Sequence, residues 1–111
     1  MKYKTIIVDD ERLARREMRR LLADFDEIVV AGEAENLAEA VELIQKEKPQ
    51  LVFLDIQLSG GENGFELLEK TAQDFKLIFV TAFDAYAIRA FEVNALDYLL
   101  KPVNPERLAK A

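Results

Sequence analysis

The chain alternates between two hydrophobic periods along its whole length. Short apolar runs rich in Ile, Val and Phe occur at Thr5–Val8, Ile28–Ala31, Leu51–Leu54, Leu77–Val80 and Leu96–Leu100. Runs this short, apolar at nearly every position, predict parallel strands buried on both faces. Between them the apolar positions take helical spacing. Ala14, Met18, Leu21, Leu22 and Phe25 make one stripe of a first helix, and Leu37, Ala40, Val41 and Ile44 one stripe of a second. Asn36 with Glu39 three positions on is a capping-box variant that opens the second helix, and Pro49 stops it. A third helix is expected after the Gly60-Gly61-Glu62-Asn63-Gly64 turn, with Phe65, Leu68 and Ala72 inward. A fourth starts at Asp84 as N-cap, carries Ala87, Ile88 and Phe91, and ends at Asn94. Asn104-Pro105 reads as the N-cap and first residue of a fifth. Strand and helix alternate five times, which predicts an α/β doubly wound parallel sheet with helices on both faces.

The fifth helix has only Pro105–Ala111 to run in, about 10 Å at roughly 1.5 Å per residue. It is therefore expected to be truncated, or a domain boundary to fall just beyond Ala111. With 111 residues the chain reads as one domain, residues 1–111. The formal charge is 15 − 21 = −6, a poor match to a phosphate backbone, so direct nucleic-acid binding is not expected. The absence of Cys and His excludes thiol catalysis, disulfides, zinc sites and His-based triads together. No apolar run approaches the roughly 20 residues that span a bilayer, and acids break the N-terminal run too early for a signal peptide. The expectation is a soluble cytoplasmic domain without membrane contact.

Ligands of open parallel sheets bind outside the carboxyl ends of the strands. The first strand delivers Asp9-Asp10 there, the third Asp55, the fourth Thr81 and the fifth Lys101 before Pro102. The second ends in Gly32-Glu33, with no evident role. Taken singly, each has an ordinary explanation: acids after strands cap helices, and a lone lysine is usually a solvated surface charge. Together they converge at one sheet edge. Three carboxylates in one place repel each other unless some are protonated or a cation joins them. With oxygen ligands only, that cation is Mg²⁺ or Mn²⁺. An ammonium and a hydroxyl aimed at the same point suit phosphoryl transfer, and an ionised carboxylate can itself attack phosphorus. Asp55, the most central acid, is the candidate nucleophile.

The motifs I-I-V-D-D-E-R-L-A-R, L-V-F-L-D-I at Leu51–Ile56, F-V-T-A at Phe79–Ala82 and D-Y-L-L-K-P at Asp97–Pro102 carry a resemblance to the receiver domains of two-component response regulators. It covers essentially the whole chain. From Thr81 to Pro102 the sequence is most similar to receivers of LytTR-type DNA-binding regulators. The resemblance implies the flavodoxin/CheY-like fold, strand order 2-1-3-4-5. It implies Asp55 as phosphoacceptor from a partner sensor histidine kinase. Asp10 and Asp55 would hold Mg²⁺ directly, Asp9 largely through water, with the backbone carbonyl of Gln57 as a further ligand. Thr81 and Lys101 would bind phosphoryl oxygens, Tyr98 would be the switch aromatic, and the Lys101-Pro102 bond would be cis. Output would pass through the surface of the fourth helix, fifth strand and fifth helix, a candidate homodimer face, to a DNA-binding domain absent from this chain.

One departure from the family pattern stands out. Ser59 occupies the place of the usual Pro, and Gly64 arrives nine positions after Asp55 rather than eight, so the loop Leu58–Asn63 carries an extra residue. Gln57 and Phe83, each two positions after a site residue, border the path of the hydrolytic water in receivers; a bulky Phe83 would exclude water and lengthen the phosphorylated state. Arg12, Arg15, Arg16, Arg19 and Arg20 make the first helix basic, read either as a solvated face or as a docking surface for the kinase. The leading expectation is a phosphorylation-controlled switch that is not an enzyme on a separate metabolite. The alternatives are a phosphorylation-independent interaction module and a phosphatase with an Asp nucleophile. The phosphatase needs a second Asp two residues after the first, where this chain has Gln57. A flavin-binding module of the same topology is disfavoured by Asp9-Asp10-Glu11 in place of a Gly-rich phosphate loop.

Overall fold

The computed structural model describes residues 2–56, 58, 63–71, 75–82, 95, 97–101, 103 and 108. Five strands form one parallel sheet: β1 (Tyr3–Val8), β2 (Ile28–Ala34), β3 (Leu51–Leu54), β4 (Lys76–Thr81) and β5 (Asp97–Leu100). Their order is β2-β1-β3-β4-β5, as the family resemblance implies. Three helices lie among the described residues: α1 (Arg12–Leu22), α2 (Leu37–Glu47) and α3 (Glu66–Lys70). The expected fourth and fifth helices, Phe83, Gln57 and Pro102 lie outside the described residues.

The alternation of side chains along the strands divides the core into two layers. Ile6, Val8, Val52, Leu54, Leu77 and Phe79 face α2 and α3. Ile7, Phe53, Ile78, Val80 and Leu99 face the other way, toward Met18, Leu21 and Leu22 of α1 and toward Leu108. The central strands are buried at almost every position, which is why they read as continuous apolar runs. Strand β2 departs from that expectation. It is an edge strand, mostly half-buried, with Val29 46% exposed. Being paired on one side only, it has no second strand to bury it.

Local sequence sets the helix ends as predicted for α2. Asn36 Oδ1 accepts the Glu39 N–H at 2.8 Å, and Glu39 Oε1 accepts the Glu35 N–H at 3.2 Å. The helix closes on Lys48 in the left-handed region (φ 48°), just before Pro49. In α3 the fully buried residue is Leu67, with Phe65 preceding the helix and Leu68 only half-buried. Phe65 and Leu68 pack on the core as expected, Leu67 joins them, and Ala72 lies outside the described residues.

One irregularity has a clear consequence. The β1–β2 register runs Thr5↔Val30 and then Ile6↔Gly32, so Ala31 is an extra residue in β2. The bulge turns Gly32 toward Leu43 of α2 and pairs Glu33 with Ile7, on the α1 face of the sheet. Without it, Glu33 would pair with Val8 and face α2.

Candidate functional site

The strand register brings the carboxyl ends of β1 and β3 level, Val8 beside Leu54, so the next residues, Asp9 and Asp55, emerge side by side. The Asp55 N–H donates to the Val8 carbonyl at 2.9 Å, and the Asp9 N–H to the Ala34 carbonyl at 3.0 Å. Both side chains are buried, whereas Asp10 is half-buried. One carboxylate oxygen from each of the three lies within 4.8 Å of the others. At that separation, with an effective dielectric of about 20, each ionised pair repels by roughly 3–4 kcal/mol.

The β4–β5 register sets Thr81 beside Leu100, and the Lys101 N–H donates to the Thr81 carbonyl at 2.8 Å. Lys101 Nζ reaches across the sheet edge to Asp9 Oδ2 at 2.6 Å and Asp55 Oδ2 at 2.9 Å. Burial pushes the Lys101 pKa down, but the two carboxylate hydrogen bonds and their charges outweigh it, and the ammonium is held above its ordinary value. One ammonium offsets one of three negative charges. Asp9 Oδ1 accepts the Glu11 N–H at 3.0 Å, so both of its oxygens are committed to protein donors. Asp55 Oδ1 is buried and has no hydrogen-bond partner among the described residues. A buried carboxylate oxygen without a donor, beside two further acids and with oxygen donors only, fits a hard divalent cation such as Mg²⁺.

The remaining predicted residues fall as follows. Thr81 is fully buried at the end of β4. Tyr98 on β5 is half-buried, its ring centroid 6.0 Å from Phe79, which in turn packs on Phe65 at 4.8 Å. The chain returns to the site at Gly64, whose N–H donates to the Ile56 carbonyl at 2.5 Å. A Cβ on Gly64 would collide with the Asp55 carbonyl oxygen, so the backbone can approach only as glycine.

The basic face of α1 divides in two. Arg12 and Arg16 are exposed. Arg15 instead turns in, its Nε donating to Glu33 Oε1 at 3.1 Å and its Nη1 to the Asp9 carbonyl at 2.7 Å. Arg19 pairs with Glu33 Oε2. Glu33, to which the sequence assigned no role, is thus the anion that gathers two of the arginines. Its neighbours in sequence gave no such signal, because the bulge that aims it arises from strand pairing.

The fold and the acidic edge define a class, and the comparisons agree with it. Residues 5–111 match the response regulator receiver domain, and the chain belongs to that family. It is 48% identical over 110 residues to the sensory transduction protein LytT of Bacillus anthracis, covering 96% of this chain and 44% of LytT. It is 45% identical over 109 residues to the transcriptional regulatory protein BtsR of Salmonella typhimurium, covering 96% of this chain and 45% of BtsR. The chain spans less than half the length of these relatives. Among solved structures, the response regulatory domain of mrkE from Klebsiella pneumoniae superposes with a TM-score of 0.86 at 31% identity, over 96% of this chain and 89% of that one. The response regulator domain of Thermotoga maritima CheB does so at 0.83 and 26% identity, over 99% and 93%. This is a domain of phosphorylation-based signalling rather than a classical enzyme, of a family that binds Mg²⁺ at an acidic pocket and interacts with histidine kinases. Among the described residues no helix is long and apolar enough to cross a membrane.

Proposed function

We propose that the domain is a Mg²⁺-dependent phosphorylation switch with Asp55 as the phosphoacceptor. The observation that carries this is the buried Asp55 Oδ1, without a donor among the described residues, while its partner oxygen is held by Lys101. A carboxylate so placed is fixed in orientation yet keeps a lone pair for a new bond. One oxygen of Asp55 would form the O–P bond as the P–N bond of a phosphohistidine breaks, the departing nitrogen keeping the electron pair, while the other would stay available to the cation. Asp10, Asp55 and, through water, Asp9 would hold the Mg²⁺, with the Gln57 carbonyl as a further ligand. When bound, the ion neutralises charge on the carboxylates and the phosphoryl oxygens.

Lys101 would transfer one of its carboxylate contacts to a phosphoryl oxygen, and the Thr81 hydroxyl would donate to another. Thr81 and Tyr98 would then move together, altering the surface around β5. In the whole protein that surface would couple, through homodimerisation, to a DNA-binding output domain, in keeping with the transcriptional relatives. The domain would assist its own dephosphorylation, with Gln57 and Phe83 tuning the rate.

Intact mass after incubation with acetyl phosphate tests the reading, with and without Mg²⁺ and alongside Asp55→Ala. One added phosphoryl group that requires both Mg²⁺ and Asp55 is the expected result. No adduct, and no beryllofluoride complex to indicate rapid turnover, would favour a phosphorylation-independent interaction module.

A further inference from the structure

We infer that Arg15 and Glu33 are positioning residues for the acidic site, with Glu33 clamping Arg15 so that its guanidinium fixes the peptide carrying Asp10. The inference rests on the reading of Asp9, Asp10 and Asp55 as the cation site. Its geometry begins at the Asp9 carbonyl, which accepts Arg15 Nη1 at 2.7 Å. A peptide unit is planar, so holding its carbonyl oxygen orients the Asp10 N–H and Cα as well. The Asp9 N–H is fixed to Ala34 and Asp9 Oδ1 to the Glu11 N–H. Lys101 holds the Asp9 side chain from outside the turn, and among the described residues the Arg15 bond is the side-chain constraint on the turn's backbone.

Arg15 can do this only if it is itself held. Its side chain is 13% exposed, and its Nε is bound to Glu33 Oε1 at 3.1 Å, while Arg19 holds the other Glu33 oxygen. The bulge at Ala31 puts Glu33 on the α1 face, so the irregularity in the edge strand and the orientation of Asp10 are linked through two side chains. Glu33 has a second effect. A guanidinium beside a site that must attract a cation works against it, and the carboxylate of Glu33 offsets that charge. Support of this kind, one shell removed from the ligands, typically governs about 10–100-fold in metal affinity.

The sign of the effect separates positioning from plain electrostatics. Removing a positive charge near the carboxylates should tighten Mg²⁺ binding; loosening the Asp9-Asp10 turn should weaken it. Mg²⁺ titration of the metal-free protein, followed by calorimetry and by amide resonances, is the experiment. Arg15→Gln is expected to weaken binding about tenfold and to shift or broaden the Asp10 and Glu11 amides before any metal is added. Glu33→Gln, which keeps the shape, should weaken binding in the same direction, with the double variant less than additive. Arg20→Gln removes the same charge from the same helix at an exposed pair with Glu17, and should leave affinity and amides unchanged.

Unchanged or tighter binding in Arg15→Gln would overturn the inference while leaving the site reading intact. If Arg15→Gln does not fold, Glu33→Gln decides by the metal-free Asp10 and Glu11 amides, because loss of its charge weakens Mg²⁺ binding under either account; unmoved amides would overturn the inference. A wild-type protein that takes up no Mg²⁺ would overturn the site reading itself, and this inference with it.

Discussion

Lys101 carries the electrostatics of the site in the absence of metal. Its raised pKa means that its contribution to stability is complete below the ordinary lysine value of 10.5 and is lost as pH rises through the higher folded value. Urea midpoints measured in chelator should therefore fall at strongly alkaline pH in the wild type, and Lys101→Met should lack that component of the fall. Gly64 is the other residue with no freedom. Gly64→Ala forces a methyl group against the Asp55 carbonyl, and a loss of about 2 kcal/mol is expected in urea unfolding, of the size typical for overpacking, together with slower phosphorylation by acetyl phosphate. The placement of Asp9, Asp10, Asp55, Thr81 and Lys101 at one sheet edge was legible in the sequence because each lies at or just past the carboxyl end of a strand, and strand ends converge by topology. Glu33 lies inside β2, one residue before its end, and gave no such signal. Its role depends on which face it takes, and a one-residue bulge reverses that.

The elements differ in how much of their stability is local. Helix α2 is capped at its start by Asn36, and Asn36→Ala should cost about 1 kcal/mol in chemical denaturation without affecting Mg²⁺ uptake. Helix α1 lacks a side-chain cap, and its attachment comes from Met18, Leu21 and Leu22 and from the Arg15 and Arg19 pairs to Glu33. This division decides how kinase docking should be tested. Arg12→Glu with Arg16→Glu alters only exposed charge, and should slow phosphotransfer from a histidine kinase while sparing acetyl phosphate. Equal slowing with both donors would remove docking as the explanation. Reversal of Arg15 would not discriminate, since it disturbs the Asp9 carbonyl as well. At this scale the sequence pattern located all five strands within a few residues, but not the half-exposure of β2. Its run of Ile, Val and Ala looks like that of a central strand, and only the sheet order makes it an edge.

For the molecule as a whole, the acidic edge implies a strong linkage between folding and divalent cation. A ligand that binds only the folded state at a hundred times its Kd stabilises it by about 2.7 kcal/mol. For a domain of this size that corresponds to a rise of roughly 10 °C or more in Tm. Scanning calorimetry with Mg²⁺ and then with chelator should show it, and Asp55→Asn should lose most of the difference. A Tm indifferent to chelator would contradict the proposed cation site. The overall topology was legible because five strands alternating with helical stripes admit few arrangements. The strand order was implied by the family motifs and then found in the sheet.

The contact between Lys101 and Asp9 joins residues 92 positions apart, and that with Asp55 spans 46. Closing a loop of that length is slow and costs entropy before any contact repays it. On a ribosome, the three acids would have emerged long before the ammonium that quiets their repulsion. The pocket is therefore expected to be among the last features of the domain to form. Under the proposed reading, competence to accept phosphate would double as a certificate of complete folding, because a partly made or misfolded chain would lack the cation that, among the described residues, holds Asp55 in line.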